Sequence, residues 1–354
     1  MKVLLVNHES LTHMSGAEKF IVRLGRGLRR MGVDVEVAAL PLNRDRGKEG
    51  VVRELLGDIP YSECWVCRDE DYDVVYVNYA PLIWRLQLLG IKAPKIAGIH
   101  GAVLIPQYQH PDLHRLDFID FINYLGFKQY LAYKTFKYFG EYDIKRFNAI
   151  HIPNPNIELK LGVPEYNIPN WVDDSYFKSE VIKDEEFIVL YVGRLSWEKG
   201  IDVVRKVVRV METKNPNIKF AIPEKLPFKN VITYDFLSEE ELIEMYGRAS
   251  VVIYPSRTDV FSLVIIESLA TGTPVVTSDI PTHQGHPKEC VKYAATTTEY
   301  INHILALYEL RTSNEDKYLK LTDYCRKYAM MNFNEEKVIN EFIRMFKEVS
   351  ASSK

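Results

Sequence analysis

The chain has 354 residues, of which 47% are hydrophobic and 26% charged, a composition typical of a globular protein of two domains. Its 45 lysines and arginines are balanced by 48 aspartates and glutamates, which argues against a nucleic-acid-binding protein. No apolar run reaches the roughly 20 residues of a membrane span. Four cysteines and an amino terminus that enters a strand at once favour a cytoplasmic protein without a signal peptide.

The first half alternates predicted strands and helices. A strand at 2–6, a helix at 18–30 and a strand at 33–39 form a βαβ unit. Gly25-Arg26-Gly27 is similar to part of a nicotinamide-binding fingerprint, but these glycines fall inside the helix and not in the turn before it. The same alternation continues, with strands predicted at 74–77, 95–99 and 149–152 and helices at 82–89 and across the aromatic-rich segment 118–147.

The second half repeats this alternation. The polar and acidic stretch 174–186 predicts a linker. Strands are then predicted at 187–192, 218–222, 231–234 and 251–254, and helices at 201–213, 238–248, 299–311, 316–331 and 334–349. Each half is therefore predicted to be a doubly wound α/β domain with a parallel sheet.

Two carboxylates in the stretch 254–278 are not explained by packing. The stretch predicts a strand end, a loop, a helix capped by Ser262, a turn at Gly272 and a further strand. Asp259 lies in the loop and Glu267 in the helix. Because open parallel sheets bind ligands at the carboxyl ends of their strands, and a helix N-terminus suits phosphate, these two residues are candidate ligand contacts.

Four sequence blocks lie at predicted strand ends. They read SGAE at 15–18, IPNWVD at 168–173, GRLSWEKG at 193–200, and DVFSLVIIE at 259–267 followed by LATGTPVV at 269–276. In this order they resemble the motifs of the retaining glycosyltransferases of family 4 (glycosyl transferases group 1). The resemblance covers nearly the whole chain and implies the GT-B fold, in which two Rossmann-like doubly wound domains face a cleft.

The resemblance also implies how the chain divides. Residues 1–173 would form the acceptor-binding domain, 174–333 the nucleotide-sugar-binding domain, and 334–354 a helix that crosses back to the first domain. The implied reaction transfers a sugar from a UDP-, GDP- or ADP-sugar to a saccharide or lipid-linked acceptor, with retention and without a metal or other cofactor. The sequence does not name the sugar, the base, the linkage or the acceptor.

The resemblance assigns catalytic and binding roles in the second domain. Arg194 and Lys199 would hold the diphosphate, where negative charge develops as the bond breaks; a solvated loop pair is the alternative. Glu267 would accept hydrogen bonds from the ribose hydroxyls, or else serve only the helix dipole. Asp259 stands where the family usually has a glutamate that contacts the donor sugar, and it is one methylene shorter. The alternative for Asp259 is an ordinary turn aspartate.

Other matched positions complete the predicted site. Phe261, Ser262 and Leu263 are expected to take part in substrate binding, with Ser262 in place of the usual glycine. In the first domain, His100 is expected to face the donor sugar as a catalytic residue and to donate a hydrogen bond to a hydroxyl or phosphate. Gly16 would let backbone amides approach a ligand. The alternatives are a structural histidine and an ordinary turn glycine.

Two metal-like motifs have simpler interpretations. Asp69-Glu70-Asp71 and Asp71-Tyr72-Asp73 match D-x-D, but Asp73 marks the start of a buried strand. Cys64 and Cys67 form a lone C-x-x-C, whereas zinc needs about four ligands, so a buried pair or a disulfide is favoured. Trp171 replaces the usual glycine of its block, and no role is assigned to it.

Competing interpretations remain open at two levels. The segment 124–147 interleaves aromatic residues with lysines, which predicts either peripheral contact with the inner face of a membrane or a helix with one buried aromatic face. At the level of function, the alternatives are a sugar-nucleotide epimerase, a phosphorylase on the same scaffold, or a nucleotide-sugar-binding protein without catalysis. A phosphorylase is disfavoured because no lysine motif of the pyridoxal type is evident.

Overall fold

The computed structural model describes residues 1–13, 16–68, 70–179, 182–235 and 237–352. It divides into two compact units. The first unit comprises Met1–Ile105, Phe127–Pro169 and Glu336–Lys354, and the second comprises Pro106–Gly126 and Asn170–Glu335. Each unit contains one parallel sheet, which confirms the prediction of two Rossmann-like α/β domains.

Within the described residues, the first sheet has seven strands and the second has six, and every strand pairing inside each sheet is parallel. The strands of the first sheet are β1 Lys2–Asn7, β2 Asp34–Ala39, β3 Tyr61–Glu63, β4 Val74–Asn78, β5 Lys95–Gly98, β6 Ala149–His151 and β7 Glu165–Tyr166. Those of the second are β8 Phe187–Leu190, β9 Ile218–Ile222, β10 Val231–Thr233, β11 Val251–Tyr254, β12 Val275–Ser278 and β13 Val291–Ala294.

Twelve α-helices connect or follow the strands in the described parts of the chain. They are α1 Gly16–Arg30, α2 Glu49–Leu56, α3 Ile83–Gln87, α4 Phe118–Leu125, α5 Phe127–Ile144, α6 Asp174–Lys178, α7 Ile201–Lys214, α8 Glu239–Arg248, α9 Leu263–Ala270, α10 Thr297–Ser313, α11 Glu315–Phe333 and α12 Glu335–Ser352. Strands β8 (FIVL) and β11 (VVIY) at the centre of the second sheet are almost wholly apolar, as expected for parallel strands covered by helices on both faces.

The strand order places the candidate site in the second unit. The order is β10-β9-β8-β11-β12-β13, so consecutive connections run outward in opposite directions from β8 and β11. The core lies on both faces of this sheet: Phe187 and Val189 of β8 belong to one buried cluster, and Leu190 belongs to the other. Such a reversal of strand order opens a crevice at the carboxyl ends of the two central strands.

The segment 118–147 is helical as predicted, and it contains two helices because Gly126 has φ 91° and separates α4 from α5. A different sequence expectation about secondary structure is wrong. The stretch 174–186 is not only a linker, because Asp173 caps α6 and the aromatic side chains of Tyr176 and Phe177 are buried. The sequence analysis did not predict this short helix, because its aromatic residues lie between polar ones.

Candidate functional site

Two loops follow the central strands of the second sheet at their carboxyl ends. The first, 193–200, follows β8, and the second, 255–262, joins β11 to α9. Gly200 has φ 74°, and a Cβ atom at this position would overlap the carbonyl oxygen of Pro255. Glycine is therefore required here for two reasons, its left-handed backbone and the direct approach of one loop to the other.

Lys199 ends the first loop and points at the second. Its Nζ lies 3.1 Å from the Tyr254 hydroxyl, 3.2 Å from the Thr258 carbonyl oxygen and 3.6 Å from Asp259 Oδ2. Burial disfavours the charged amine, but the Asp259 carboxylate outweighs it and raises the pKa of Lys199 above its ordinary value. The loop therefore carries a permanent, largely buried cation.

Asp259 has one carboxylate oxygen engaged and one open. Its Oδ2 accepts a hydrogen bond of 2.6 Å from the Tyr254 hydroxyl and lies near Lys199 and, at 3.8 Å, near His283 Nε2. No described residue hydrogen-bonds to Oδ1. Burial alone would raise the pKa of Asp259, but Lys199, with His283 and Tyr254, holds it well below its usual range. The ionised carboxylate can thus accept hydrogen bonds from a ligand through Oδ1.

Gln109 holds the backbone of Asp259. The side-chain Oε1 of Gln109 accepts the Asp259 N–H, and its Nε2 donates to the Asp259 carbonyl, both at 2.8 Å. Gln109 is buried and belongs to the second unit, 150 residues earlier in the chain. Sequence reasoning missed it, because no local pattern reports a contact over that separation.

Arg257 fixes the remainder of the second loop. Its guanidinium donates to both carboxylate oxygens of Asp202, at 2.7 and 2.9 Å, and to the Trp197 carbonyl at 2.6 Å. The same guanidinium lies 4.4 Å from the centre of the Trp197 ring. Sequence reasoning missed Arg257 as well, although its place two residues before Asp259 could have drawn attention to it. The bidentate pair of Arg257 and Asp202 stabilises the loop that carries Asp259.

Arg194 and Glu267 flank the Lys199–Asp259 pair along the sequence. The Arg194 side chain is 76% exposed and its guanidinium forms an ion pair with Glu198. Glu267 lies in α9, is half-buried, and accepts a hydrogen bond of 3.3 Å from the Tyr246 hydroxyl. An exposed guanidinium and a half-buried carboxylate are both accessible to a ligand.

The other motif positions have structural partners. Ser262 caps α9, with its Oγ accepting the Ile265 N–H at 3.3 Å. The Phe261 ring is buried and packs against Phe333 at 5.8 Å, and Leu263 packs on the core. The side chains of Phe261 and Ser262 are buried and stabilise the loop, whereas Leu263 is half-buried.

His283 was not predicted and lies beside Asp259. It is fully buried, and its Nδ1 lies 2.8 Å from Thr277 Oγ1. Its Nε2 has no hydrogen-bond partner among the described residues and lies 3.8 Å from Asp259 Oδ2. Because the residue follows β12 in a segment without a recognised motif, the sequence offers no signal for it.

The predicted residues of the first unit lie at the carboxyl ends of its strands. His100 follows β5; its Nε2 lies 2.8 Å from the Tyr76 hydroxyl, and the Phe20 ring packs on it at 4.2 Å. Gly16 is the exposed first residue of α1, and a Cβ atom there would meet no heavy atom within 4 Å. Its neighbour Ser15, part of the same predicted block, lies outside the described residues.

The structure describes the surroundings of most residues in the two metal-like motifs. Asp73 Oδ2 accepts the backbone N–H of Lys2 at 2.9 Å, and Asp69 lies outside the described residues. Among the described residues, no group of three or more His, Cys, Asp or Glu side chains could hold a metal ion. Cys64 and Cys67 are free thiols with sulfur atoms 4.0 Å apart.

Three further observations concern cysteine, Trp171 and membrane spans. A disulfide joins Cys290 to Cys325, a pairing that the sequence did not predict. Trp171 is buried. Within the described ranges, no helix combines the length and apolar character needed to cross a bilayer.

Comparisons with known proteins bear on the second unit first. Residues 186–309 match the family model described as "Glycosyl transferases group 1". The chain is 23% identical over 175 residues to an uncharacterized 41.2 kDa protein of the cps region of Klebsiella pneumoniae, covering 47% of this chain and 48% of that protein. It is 30% identical over 125 residues to an uncharacterized glycosyltransferase of Methanocaldococcus jannaschii, covering 31% and 32%. These matches span half or less of each relative.

A solved structure is similar over the whole chain. Anabaena HepE in complex with UDP and glucose has a TM-score of 0.69 and 13% identity, covering 97% of this chain and 99% of that one. At this identity the likeness shows the fold alone. Residues 186–309 therefore match the group 1 glycosyl transferases, and the chain that contains them has the GT-B fold.

Proposed function

We propose that the chain transfers a sugar from a nucleotide-sugar donor to an acceptor, with retention and without a metal ion. The observation that carries this proposal is the Lys199–Asp259 pair. It lies at the carboxyl ends of β8 and β11, where a doubly wound sheet binds nucleotides, and Asp259 Oδ1 is open to a ligand. The group 1 glycosyl transferase match at 186–309 covers these residues.

The donor is proposed to bind in three parts. Exposed Arg194 and the Lys199 ammonium would stabilise the diphosphate as it leaves, together with the N-terminus of α9. Glu267 would accept hydrogen bonds from the ribose hydroxyls, and Asp259 Oδ1 from a hydroxyl of the sugar. UDP-sugars are the first donors to test, because the structural relative HepE was solved with UDP and glucose.

Retention is proposed to proceed by front-face substitution. The leaving phosphate would take the proton of the acceptor hydroxyl as the new glycosidic bond forms and the sugar–phosphate bond breaks. The chain would then contribute positioning and charge stabilisation. The depressed pKa of Asp259 suits this role, because that carboxylate stays ionised and cannot act as a general acid.

The test is turnover of UDP-, GDP- and ADP-sugars by the purified chain in EDTA. We expect release of the nucleoside diphosphate from one donor, and an NMR coupling constant in the product that matches the anomer of the donor. Epimerisation at C2 without transfer would support an epimerase. Binding without turnover, with and without a range of saccharide acceptors, would support a binding protein. Loss of activity in EDTA that added metal restores would contradict metal independence.

We also propose that α5 contacts an anionic membrane surface, where a lipid-linked acceptor would be found. Of its 18 residues only Gly140, Asp143 and Ile144 are buried. Five of its nine exposed residues are aromatic or aliphatic: Phe127, Leu131, Tyr138, Phe139 and Tyr142. Lys134 and Lys137 lie among them, and such a mixture of aromatic and basic residues favours the headgroup region of a bilayer.

Sedimentation with vesicles tests this contact. We expect binding to vesicles that contain phosphatidylglycerol, weaker binding to phosphatidylcholine alone, and loss of binding in Leu131→Glu. Leu319→Glu is the matched control, because Leu319 is also an exposed leucine, but on α11. Equal binding by both variants, or no binding to anionic vesicles, would refute the proposal.

A further inference from the structure

Three polar side chains of the first unit form a hydrogen-bonded chain that ends at His100. His151 Nε2 lies 2.8 Å from the carbonyl oxygen of Ile168. The Tyr76 hydroxyl lies 2.7 Å from His151 Nδ1 and 2.8 Å from His100 Nε2. Tyr76 and His151 are fully buried, and Ile168 is the first residue of the IPNWVD block. Hydrogen bonds through His151 and Tyr76 thus connect the IPNWVD block to His100, the predicted catalytic histidine.

The hydrogen bonds fix the position of the proton on each of the three side chains, His151, Tyr76 and His100. Burial lowers the pKa of His151 to about 4 and that of His100 well below its ordinary value, so both imidazoles are neutral at neutral pH. A carbonyl oxygen only accepts, so His151 carries its proton on Nε2 and leaves Nδ1 as an acceptor. The single Tyr76 proton is therefore donated to His151. The Tyr76 oxygen must then accept from His100, which fixes the His100 proton on Nε2.

We propose that Tyr76 and His151 are positioning residues that hold His100 as its Nε2–H tautomer and thereby present Nδ1 as an acceptor to a substrate hydroxyl. No described residue hydrogen-bonds to His100 Nδ1. An ionised phosphate oxygen only accepts, so it is excluded as the partner of this nitrogen, whereas a sugar hydroxyl can donate to it. The expectation that His100 donates to its ligand is therefore revised.

The residues that surround Tyr76, His100 and His151 permit this hydrogen-bond arrangement. A Cβ atom at Gly98 would overlap the Tyr76 hydroxyl and lie 2.9 Å from His100 Nε2, so glycine leaves room for their hydrogen bond. The ring of Phe342, on α12, packs against His151 at 4.8 Å. Among the residues that the structure describes, the Tyr76 hydroxyl has no hydrogen-bond partner other than His100 and His151.

The tautomer can be measured without any activity. We propose long-range proton–nitrogen NMR on the full chain with 15N-labelled histidine, with His100 assigned from a His100→Gln variant. We expect a protonated Nε2 and an unprotonated Nδ1 at His100. In Tyr76→Phe, which keeps the ring, we expect a mixture of tautomers at His100, while His151 keeps its proton on Nε2. Tyr61→Phe is the control, because the Tyr61 hydroxyl donates to Glu63, and it should change neither signal.

Either a protonated Nδ1 at His100 in the unmodified chain or an unchanged tautomer in Tyr76→Phe would overturn the inference. The role toward substrate rests on the proposed function and needs a second measurement. Tyr76→Phe should lower kcat/KM for the donor about threefold to tenfold, the effect of one hydrogen bond, and should have no effect in a His100→Ala background. An equal loss in both backgrounds would show that Tyr76 acts only on the fold. Failure of the glycosyltransferase assay would leave the NMR result standing.

Discussion

We propose that Asp259 combines a structural and a ligand-binding function in one carboxylate. Its Oδ2 is held by the Tyr254 hydroxyl and lies near Lys199, while Oδ1 is available. The aspartate side chain is shorter than the glutamate that the family usually has here, and its contacts with Tyr254 and Lys199 limit how far it can reach. We expect this limit to determine which sugar hydroxyl Asp259 can bind.

Replacing Asp259 by asparagine tests the pair through its pH dependence. Because the folded pKa of Asp259 is depressed, its stabilising contribution is complete above the unfolded value of about 4 and is lost as the pH falls through the folded value. We expect Asp259→Asn to lower the free energy of unfolding by about 3 kcal/mol at neutral pH, since Lys199 is left buried without its counterion. The difference should shrink below pH about 4.

The measurement is urea unfolding of both proteins from neutral to acid pH. Lys225→Gln, a change of charge outside the described contacts of Asp259, serves as the reference for general charge effects. A difference between wild type and Asp259→Asn that does not vary with pH would show that the carboxylate is not stabilised by its charge.

At this scale some residues of the candidate site could be predicted from the sequence and others could not. Asp259, Glu267 and Lys199 follow from motif blocks, because short runs of sequence specify a strand end, a loop and a cap. Gln109 and His283 could not be identified, since each reaches Asp259 only through the tertiary fold.

The loops after β8 and β11 are the elements on which the site depends. Their mutual approach requires Gly200, whose neighbour Lys199 supplies the cation. A side chain at 200 would move one loop away from the other and separate the charged pair.

Gly200→Ala should therefore be more damaging than a change of backbone preference alone. Gly32→Ala is the matched control, because Gly32 has φ 78° against 74° for Gly200 and a Cβ atom there would meet no heavy atom within 4 Å. The control should lose about 1 kcal/mol from the left-handed backbone, and Gly200→Ala clearly more, together with nucleotide affinity. Thermal unfolding and calorimetric titration measure both. Equal losses would show that the approach of the loops is not tight.

Elements with a clear local signal were predictable and others were not. The helix over 239–248 follows from its capping box of Ser238 and Glu241, which the structure contains. Strands β3, β7 and β13 were missed, because polar residues interrupt them and none has a continuous apolar run.

At the scale of the whole molecule, the chain does not divide into two consecutive domains. Residues 106–126 belong to the second unit, and Glu336–Lys354 belongs to the first. The two doubly wound sheets were predictable from the alternation of strands and helices, but this exchange of segments was not. It depends on side chains such as Gln109 and Phe342, whose partners are far away in the sequence.

The return of the last helix gives a prediction for the first unit. Phe342 is fully buried and packs against Tyr76 and His151. Phe342→Ala should lower the free energy of unfolding by roughly 3 to 5 kcal/mol. Hydrogen exchange should show the lost protection in β4 and β6, with less effect in β8 and β11. Met331→Ala, at an exposed position of α11, is the control, and uniform loss across both sheets would contradict the assignment of α12 to the first unit.

Calorimetric titration with UDP-, GDP- and ADP-sugars tests whether the second unit binds a nucleotide sugar, by comparing the unmodified chain with Glu267→Gln and Glu244→Gln. Glu244 is an exposed glutamate of α8 that pairs with Arg248. We expect at least one donor to bind, Glu267→Gln to weaken its binding by roughly 1 to 3 kcal/mol, and Glu244→Gln to leave the affinity unchanged. Binding of no nucleotide sugar would contradict the proposed function, and equal affinity in all three proteins would contradict the ribose contact of Glu267.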